Sequence, residues 1–260
     1  MLQTVDLAPY RAFVADLTAA SGPILRQHFG DATLAVEQKS DLSPVTEADR
    51  AAEAAMRRLI NARFPGHGII AEEYGPEHTD AEWTWVLDPI DGTKSFIHGV
   101  PLFGTLIGLL HEGRPVLGVI HQPVLDWLCV GDGEATTLNG KPVHVGETRT
   151  MAEATLLTTS QGADIPQIHN EVARQRLFGA AKVVRTWGDC FGYLLVATGR
   201  ADVMCDGVAH NAWDVLPLVP IIRGAGGIIT DWTGGEVGDG KSCLATSPRL
   251  HRLALDLLLT

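Results

Sequence analysis

Apolar residues recur at helical spacing in the first part of the chain. From about residue 6 to residue 29 they return every three or four positions, and Gly22-Pro23 is expected to kink or divide this helix. A second helix is predicted to begin at Thr46, because the sequence Thr-Glu-Ala-Asp has the form of a capping box. Residues 64–66 (Phe-Pro-Gly) should end it.

Short apolar runs with the length and composition of buried strands follow this helix. They cover residues 68–71, 83–87, 105–110 and 116–121. Two turn signals come next, at residues 131–133 (Gly-Asp-Gly) and at Asn139-Gly140. The second favours a two-residue hairpin loop, because both residues tolerate positive φ. The first half of the chain is therefore predicted to end in an antiparallel β-meander.

Beyond about residue 150 the pattern alternates between strands and helices. Strands are expected near residues 156–159, 183–186, 201–205 and 227–230, with helices at 189–198, from Trp213 to Arg223, and from Pro248. This alternation indicates α/β architecture. The 260 residues show no internal repeat or flexible linker, so residues 1–150 and 151–260 are predicted to form two closely packed halves.

Charge and composition narrow the class of protein. With 20 Lys+Arg against 31 Asp+Glu, the net charge of -11 argues against binding to a nucleic-acid backbone or an anionic membrane surface. Small phosphorylated substrates remain possible, because metal ions can supply positive charge locally. Charged residues interrupt the first thirty positions and no long apolar run occurs, so we expect a cytoplasmic protein. Four widely spaced cysteines are expected to be buried free thiols: Cys129, Cys190, Cys205 and Cys243.

The sequence from Trp85 to Ser95 contains the strongest chemical signal. An apolar strand leads into Asp88 and Asp91, and Pro89 between them restricts the backbone so that the Ile90 carbonyl can point the same way. Oxygen ligands of this kind favour a hard cation such as Mg²⁺. The helix that follows could offer free N–H groups to an anion. A plain turn followed by a helix cap is the alternative interpretation.

Other carboxylates are predicted to meet this strand end. Glu72-Glu73 follows another apolar run, and ligands of open α/β sheets collect beyond the carboxyl ends of strands. Asp214 begins an apolar helix, and Asp49 occupies helix position N3, three residues after the capping residue Thr46. Taken singly, the glutamates could lie in a solvated loop and the two aspartates could simply cap helices.

These motifs, in this order and spacing, resemble the inositol monophosphatase family of Mg²⁺-dependent phosphomonoesterases. The matching segments are residues 39–49 (K-x-D-x-S-P-V-T-x-A-D), Glu72-Glu73, residues 88–93 (D-P-I-D-G-T), Trp213-Asp214 and residues 224–227 (G-A-G-G). The resemblance spans nearly the whole chain. It implies a layered α-β-α-β-α sandwich of mixed α+β and α/β character, the sugar-phosphatase or inositol monophosphatase-like fold, with the site between the two halves. It also suggests a homodimer.

Roles for individual residues follow from the resemblance. It implies one Mg²⁺ at Glu72, Asp88 and the Ile90 carbonyl, a second at Asp88, Asp91 and Asp214, and a third, weaker ion at Glu72, with Mn²⁺ as a possible substitute. Asp49 and Thr93 would orient the attacking water, and Glu72 would join them as a catalytic residue. The amides of Gly92 and Thr93 would receive the phosphate. The roles of Glu73, Asp206 and His210 are left open.

Further details resemble the histidinol-phosphate phosphatase branch of this family. They include residues 91–107 and the turn at Gly188, Asp189 and Cys190, which matches a substrate-contact turn. Gly207 stands where inositol phosphatases carry an acidic residue for sugar hydroxyls. An aspartate at position 189 would favour a substrate with an ammonium group, although it could also cap a helix. Inositol 1-phosphate or another small phosphate ester is the alternative substrate, and a non-catalytic interaction protein of this fold is the alternative class.

Overall fold

Two long helices and a small hairpin open the chain in the computed structural model, which describes residues 6–31, 33–38, 44–161 and 169–260. They are α1 (Ala8–His28), β1 (Val36–Gln38), β2 (Pro44–Thr46) and α2 (Glu47–Arg63). Pro23 lies inside α1 without dividing it, so the predicted division is wrong. The packing of α1 on its neighbours outweighs the loss of one backbone N–H. Lys39, Asp41 and Ser43 of the first motif lie outside the described residues.

The capping box predicted at Thr46 is confirmed. The Thr46 hydroxyl accepts a hydrogen bond from the Ala48 N–H at 3.1 Å, and the Asp49 carboxylate accepts one from the Thr46 N–H at 2.8 Å. These two reciprocal bonds fix the start of α2 and bury the Asp49 side chain.

A seven-stranded sheet forms the body of the N-terminal half, in chain order from β3 to β9. Its strands are β3 (Gly68–Ala71), β4 (Trp83–Asp91), β5 (Gly104–His111), β6 (Arg114–Gln122), β7 (Trp127–Gly131), β8 (Thr136–Leu138) and β9 (Lys141–Pro142), and the short helix α3 (Thr93–Ile97) follows β4. β3 and β4 are parallel and the later neighbours are antiparallel. The predicted hairpin at Asn139-Gly140 is confirmed, with φ of 49° and 75°. β7 was not predicted.

The second half contains a five-stranded mixed sheet in the order β11-β10-β12-β14-β13. Its elements are β10 (Thr155–Leu157), α4 (Glu171–Ala180), β11 (Val183–Arg185), α5 (Asp189–Ala197), β12 (Val203–Asp206), α6 (Ala212–Val215), α7 (Leu218–Gly224), β13 (Ile228–Thr230), β14 (Cys243–Thr246) and α8 (Pro248–Leu259). The sequence pattern missed α4 and β14. Since β14 runs antiparallel to both of its neighbours, the sheet is not the purely parallel type that simple alternation suggests.

The single helix expected from Trp213 to Arg223 is wrong, because the chain breaks into α6 and α7. Pro217 precedes α7 and has no N–H to continue the first helix. Its carbonyl oxygen lies against Gly118 of β6, where a Cβ atom would come within 1.9 Å. The break therefore lets the two halves approach closely.

Three of the four apolar clusters among the described residues bind the elements into the predicted α-β-α-β-α sandwich, which is confirmed. One packs α1 and α2 on the first sheet, a second packs α5 and α7 between the sheets, and a third packs α4 and α8 on the outer face of the second sheet. The run from Val100 to Leu110 is largely core, because β5 is buried along nearly its whole length. The four cysteines are free and buried, as predicted. Among the described residues we find no helix able to cross a membrane.

Candidate active site

A β-bulge sets the directions of Asp88 and Asp91. Asp88 pairs with Leu106 and Asp91 pairs with Gly104. Over this stretch β4 therefore contains one residue more than β5. Residues three apart on a regular strand face opposite sides of the sheet, and the extra residue turns the second side chain back to the first side. The hydroxyl of Thr105 donates a hydrogen bond to the Pro89 carbonyl at 2.9 Å and holds the bulge.

Asp214 joins these two residues from the other half of the chain. Asp88, Asp91 and Asp214 each offer a carboxylate oxygen that lies within 4.8 Å of the others. Asp214 also accepts a hydrogen bond from the Asn211 N–H at 2.8 Å, in a capping box at the start of α6. The capping interpretation and the cluster interpretation of Asp214 are therefore compatible, because each uses part of the carboxylate.

The electrostatics of this cluster favour a bound cation. Burial raises the pKa of Asp88 well above its usual range, and the charges of Glu72, Asp91 and Asp214 raise it further. Burial also raises the pKa of Asp91, as do Asp189 and Asp214, although the Cys190 N–H donates a hydrogen bond to it. Such a group of oxygen donors fits a hard divalent ion such as Mg²⁺, whose charge would offset the repulsion.

Glu72 reaches the same place from the neighbouring strand. β3 and β4 are parallel with Ala71 beside Leu87, so Glu72 comes beside Asp88. The Glu72 N–H donates a hydrogen bond to the Leu87 carbonyl at 3.3 Å and continues this register by one residue. The two carboxylate-bearing strand ends that the sequence indicated therefore lie side by side.

A buried ion pair that the sequence interpretation missed holds the loop after Glu72. The Glu53 carboxylate accepts hydrogen bonds from the N–H groups of Glu73 at 2.8 Å and Tyr74 at 3.1 Å. Arg57, one turn along α2, donates to Glu53 at 2.7 Å and also to Glu77 at 2.6 Å. The Glu53–Arg57 spacing of four residues is visible in the sequence, but such pairs are usually exposed, whereas Glu53 is fully buried.

Asp49 is buried and lies beside the carboxylate cluster that contains Asp88. Burial raises its pKa to about 6, the charge of Glu72 contributes, and hydrogen bonds from Thr46 oppose the shift. β2 ends at Thr46 and packs near α3, which begins at Thr93. The Thr93 hydroxyl donates a hydrogen bond to the Ile90 carbonyl at 3.0 Å, so its lone pairs remain available to another donor.

Two glycines allow close approaches at the turns of the candidate site. Gly92 has φ of 94°, and a Cβ there would come within 2.8 Å of the Leu102 carbonyl oxygen and 3.1 Å of an Asp189 oxygen. A Cβ at Gly188 would come within 2.2 Å of the Thr159 Cα. These contacts bring the substrate-contact turn of the sequence prediction against the turn after β4.

Asp189 occupies a strained position at the first residue of α5. Its φ is 49°, and its N–H donates a hydrogen bond to the Thr159 hydroxyl at 3.0 Å. Burial raises its pKa to about 7, with Asp206 and Asp214 adding to the shift and Lys94 opposing it. Gly188, and not Asp189, occupies the N-cap position of α5, so the alternative interpretation as a helix cap is wrong.

Asp206 is buried and fully engaged by its neighbours. Its two oxygens accept hydrogen bonds from the Thr158 hydroxyl at 3.1 Å, the Thr159 N–H at 2.7 Å and the Thr159 hydroxyl at 2.8 Å. The sequence left its role open. In the structure it holds Thr159, which in turn accepts the hydrogen bond from Asp189.

His210, whose role the sequence left open, is close to the cluster. Its Nδ1 atom is 3.9 Å from an Asp214 oxygen, and burial lowers the pKa of its ring while the charge of Asp206 opposes that effect. Its Nε2 atom is buried and has no hydrogen-bond partner within the described part of the chain.

Comparison with known proteins gives a consistent family assignment. The model of the inositol monophosphatase family matches residues 6–258. The chain is 42% identical to a chloroplastic bifunctional phosphatase of Arabidopsis thaliana over 90% of this chain and 67% of that protein. It is 37% identical to a histidinol-phosphatase of Chlorobaculum parvum over 95% of each chain.

A solved structure agrees with these sequence matches. An inositol monophosphatase from Zymomonas mobilis superposes with a TM-score of 0.87 at 34% identity, covering 98% of this chain and 100% of that one. This chain thus shares the arrangement of its elements with that inositol monophosphatase. The chain belongs to the inositol monophosphatase family.

Proposed function

We propose that this phosphatase of the inositol monophosphatase family hydrolyses L-histidinol phosphate to L-histidinol and phosphate in a Mg²⁺-dependent reaction, a step of histidine biosynthesis. The observation that carries the phosphatase chemistry is the cluster of Asp88, Asp91 and Asp214, whose carboxylate oxygens lie within 4.8 Å of one another. Similarity to a histidinol-phosphatase supports the choice of substrate.

The residues around this cluster provide ligands for more than one ion. One Mg²⁺ would be held by Glu72, Asp88 and the Ile90 carbonyl, and a second by Asp88, Asp91 and Asp214. Glu72 would also hold a third, weaker ion. Mn²⁺ is a possible substitute. Bound there, the ions would increase the acidity of water and stabilise the leaving oxygen of the phosphate ester.

The protein's own groups would position the reactants. Asp49 and Thr93 are proposed to orient the attacking water, Asp49 through the carboxylate oxygen that does not accept from Thr46, and Thr93 through its hydroxyl lone pairs. The N–H groups of Gly92 and Thr93 would donate to the phosphate, because the first N–H groups of a helix have no partner within it. Glu72, beside Asp88, would complete the catalytic group.

Asp189 supports a substrate that carries an ammonium group. Its side chain borders the turn at Gly92, where the phosphate would bind, and Gly188 and Cys190 flank it in the same turn. A positive charge near the phosphate group of the substrate would be attracted to this carboxylate. At position 207, glycine offers no carboxylate for the hydroxyl groups of a polyol.

Inositol 1-phosphate is the second candidate substrate. The structural similarity to an inositol monophosphatase favours it, since the two folds superpose over nearly the whole chain. A non-catalytic interaction protein of the same fold is disfavoured, because the carboxylates of the cluster are all present.

The deciding experiment is Mg²⁺-dependent phosphate release with four substrates: L-histidinol phosphate, inositol 1-phosphate, fructose 1,6-bisphosphate and adenosine 3′,5′-bisphosphate. We expect kcat/KM for L-histidinol phosphate to exceed the others by about a hundredfold, or roughly 2.7 kcal/mol in transition-state binding. A preference for inositol 1-phosphate would retain the chemistry and replace the substrate. No release from any of the four would contradict the phosphatase proposal.

The two halves of the chain are proposed to contribute differently to the site. Residues 1–150 would supply most metal ligands and residues 151–260 would close the site, as the position of Asp214 suggests. We also propose a cytoplasmic homodimer, which sedimentation of the purified protein and localisation of a tagged chain would test.

A further inference from the structure

Thr159 and Asp206 lie next to the turn that carries Asp189, beyond or at the carboxyl ends of two parallel strands. β10 pairs with β12 so that Leu157 lies beside Met204, and two residues further along each chain Thr159 lies beside Asp206. In α/β sheets the carboxyl ends of the strands face bound ligands. The mechanism proposed above gives neither Thr159 nor Asp206 a role.

Asp206 holds Thr159 at two points. Its Oδ1 atom accepts a hydrogen bond from the Thr159 N–H at 2.7 Å, and its Oδ2 atom accepts one from the Thr159 hydroxyl at 2.8 Å. The two bonds together restrain the backbone and the side-chain rotamer of Thr159. The Thr158 hydroxyl donates a third bond to Oδ1 at 3.1 Å. These donors offset the cost of burying the Asp206 carboxylate, which is 1% exposed.

The hydrogen bonds that connect Asp189 to Asp206 have a fixed direction. A carboxylate only accepts hydrogen bonds, so the one proton of the Thr159 hydroxyl is directed to Asp206. The lone pairs of the Thr159 hydroxyl oxygen are then left to accept a hydrogen bond, and the Asp189 N–H donates one at 3.0 Å. Asp206 therefore orients the group that holds the backbone of Asp189.

The backbone of Asp189 has a conformation that needs such support. Its φ of 49° is in the left-handed region, which residues with a Cβ atom rarely adopt. Strained backbone of this kind persists only where the surroundings restrain it. The Asp189 side chain is partly exposed, and one of its oxygens lies 3.1 Å from the position of a Cβ atom at Gly92. The direction of this carboxylate therefore depends on a backbone that Thr159 holds.

Asp206 is not available to bind a substrate directly. Both of its oxygens accept hydrogen bonds from protein groups, and the residue is buried. After burial, the charge of Asp206 is the largest contribution to the raised pKa of Asp189, so the two carboxylates lie within electrostatic range of each other. The hydrogen bonds of Asp206 can thus affect a bound substrate only through Thr159 and Asp189.

We propose that Thr159 and Asp206 are positioning residues for substrate specificity, because they hold the Asp189 carboxylate toward the ammonium group of the substrate. This inference rests on the proposed function, in which Asp189 contacts that ammonium group. A residue that acts in this way changes KM for a substrate with a positive charge. It leaves kcat, and KM for a neutral substrate, nearly unchanged.

The test is steady-state kinetics of the full-length protein with Mg²⁺, using L-histidinol phosphate and inositol 1-phosphate. Thr159→Val keeps the shape of the side chain and removes its hydroxyl. It should raise KM for L-histidinol phosphate about fivefold, which corresponds to one lost hydrogen bond. We expect both kcat values, and KM for inositol 1-phosphate, to stay within about twofold.

Two further variants distinguish positioning from a general effect on the fold. Thr159→Ser retains the hydroxyl and should restore KM to within about twofold of the unmodified protein. Thr158→Val removes another donor to Asp206 and leaves the bond between Asp189 and Thr159 in place. It should lower stability without changing either KM value. Equal changes of KM in Thr158→Val and Thr159→Val would overturn the proposal.

A double-mutant cycle tests whether Asp206 acts through Thr159. Asp206→Asn replaces one accepting oxygen with a donor and should raise KM for L-histidinol phosphate about threefold. In a protein that already carries Thr159→Val, the same change should raise KM by less than about 1.5-fold, because the connection to Asp189 is already lost. Full multiplication of the two effects would overturn the role of Asp206 as a residue that acts through Thr159.

Hydrogen exchange at the Asp189 N–H, measured by NMR without substrate, separates this inference from the proposed function. Thr159→Val should accelerate exchange about tenfold, whereas Thr159→Ser and Thr158→Val should change it less than about twofold. Unchanged exchange in Thr159→Val would overturn the positioning role. An unmodified protein without a preference for L-histidinol phosphate would contradict the proposed function, and the specificity role with it. A clear preference together with equal KM changes for both substrates in Thr159→Val would contradict the present inference alone.

Discussion

Asp88 and Asp91 lie three positions apart on one strand, and yet the bulge in β4 turns both carboxylates to the same side of the sheet. Without the extra residue, one of them would point into the opposite layer. This local irregularity makes it possible for Asp214, from a helix in the other half, to approach both. The candidate site therefore depends on backbone geometry as much as on residue type.

The first prediction concerns metal binding at this cluster. Saturating Mg²⁺ should raise Tm by roughly 5–10 °C, because binding at a hundred times Kd stabilises the folded state by about 2.7 kcal/mol. In Asp88→Asn the rise should largely disappear, and phosphate release should fall by orders of magnitude. Thermal unfolding with EDTA or with Mg²⁺, followed by an activity assay, checks both.

Glu134→Gln is the matched control for that experiment, since it removes an acidic group from an exposed loop. It should keep the full Mg²⁺ effect and full activity. An equal rise in Tm for the unmodified protein and Asp88→Asn would contradict metal binding at the cluster.

The second prediction concerns Glu53, which we expect to position the loop that carries Glu72. Glu53→Gln removes the buried charge partner of Arg57, which keeps only the partly exposed Glu77, and weakens two backbone hydrogen bonds. The free energy of unfolding should fall by about 2–3 kcal/mol. The Mg²⁺ concentration for half-maximal phosphate release should rise about tenfold, because residues behind metal ligands orient them.

Urea unfolding and a Mg²⁺ titration of activity measure these two effects separately. Arg58→Gln, on the exposed side of the same helix, should change neither. If Glu53→Gln lowered stability while the Mg²⁺ requirement stayed the same, Glu53 would serve the fold alone.

The third prediction tests Asp189 as a specificity residue. Asp189→Asn should fold, because asparagine tolerates the φ of 49° at this position as well as aspartate does. It should raise KM for L-histidinol phosphate about tenfold through loss of attraction to the ammonium group, and should change KM for a substrate without a positive charge much less. Steady-state kinetics with histidinol phosphate and inositol 1-phosphate distinguish the cases.

Asp239→Asn, in an exposed loop, serves as the control and should leave both KM values unchanged. Equal losses for both substrates would show that Asp189 does not select for the ammonium group.

The fourth prediction is a pH dependence of stability from His121. Burial lowers the pKa of this ring to about 4, and Arg26 adds to the effect. In the unfolded chain the pKa is about 6.5, so below that pH the unfolded state binds a proton that the folded state does not. The stabilising effect of the neutral ring is present above pH 6.5 and is lost as the pH falls toward 4.

At pH 5 this loss should amount to about 2 kcal/mol, and His121→Asn should remove it from the pH profile. Urea unfolding at pH 7.5 and pH 5 measures the difference. His78→Asn is the control, because His78 is exposed and asparagine tolerates its φ of 47°. Identical pH profiles for His121→Asn and the unmodified protein would refute this assignment.

Local features were predictable because they act over a few neighbouring residues. The capping box at Thr46 and the hairpin at Asn139-Gly140 need only adjacent groups and suitable φ values, and both are present as predicted. The motif from Asp88 to Thr93 likewise occupies consecutive positions, and the model of the family that it resembles matches residues 6–258. The family and the layered fold were therefore accessible from the chain alone.

Only the tertiary structure decided the roles of groups whose partners are distant in the chain, or whose spacing is the same in exposed and buried pairs. Glu53 and Arg57 have the spacing of an exposed helical pair, and only packing against the loop after β3 makes them a buried support for Glu72. Asp206 became a support for Thr159 because β12 lies beside β10. Sequence by itself determined which chemical groups are present and the local turns that carry them. Their burial and partners were decided by long-range packing, because desolvation and hydrogen bonding depend on every element that surrounds a group.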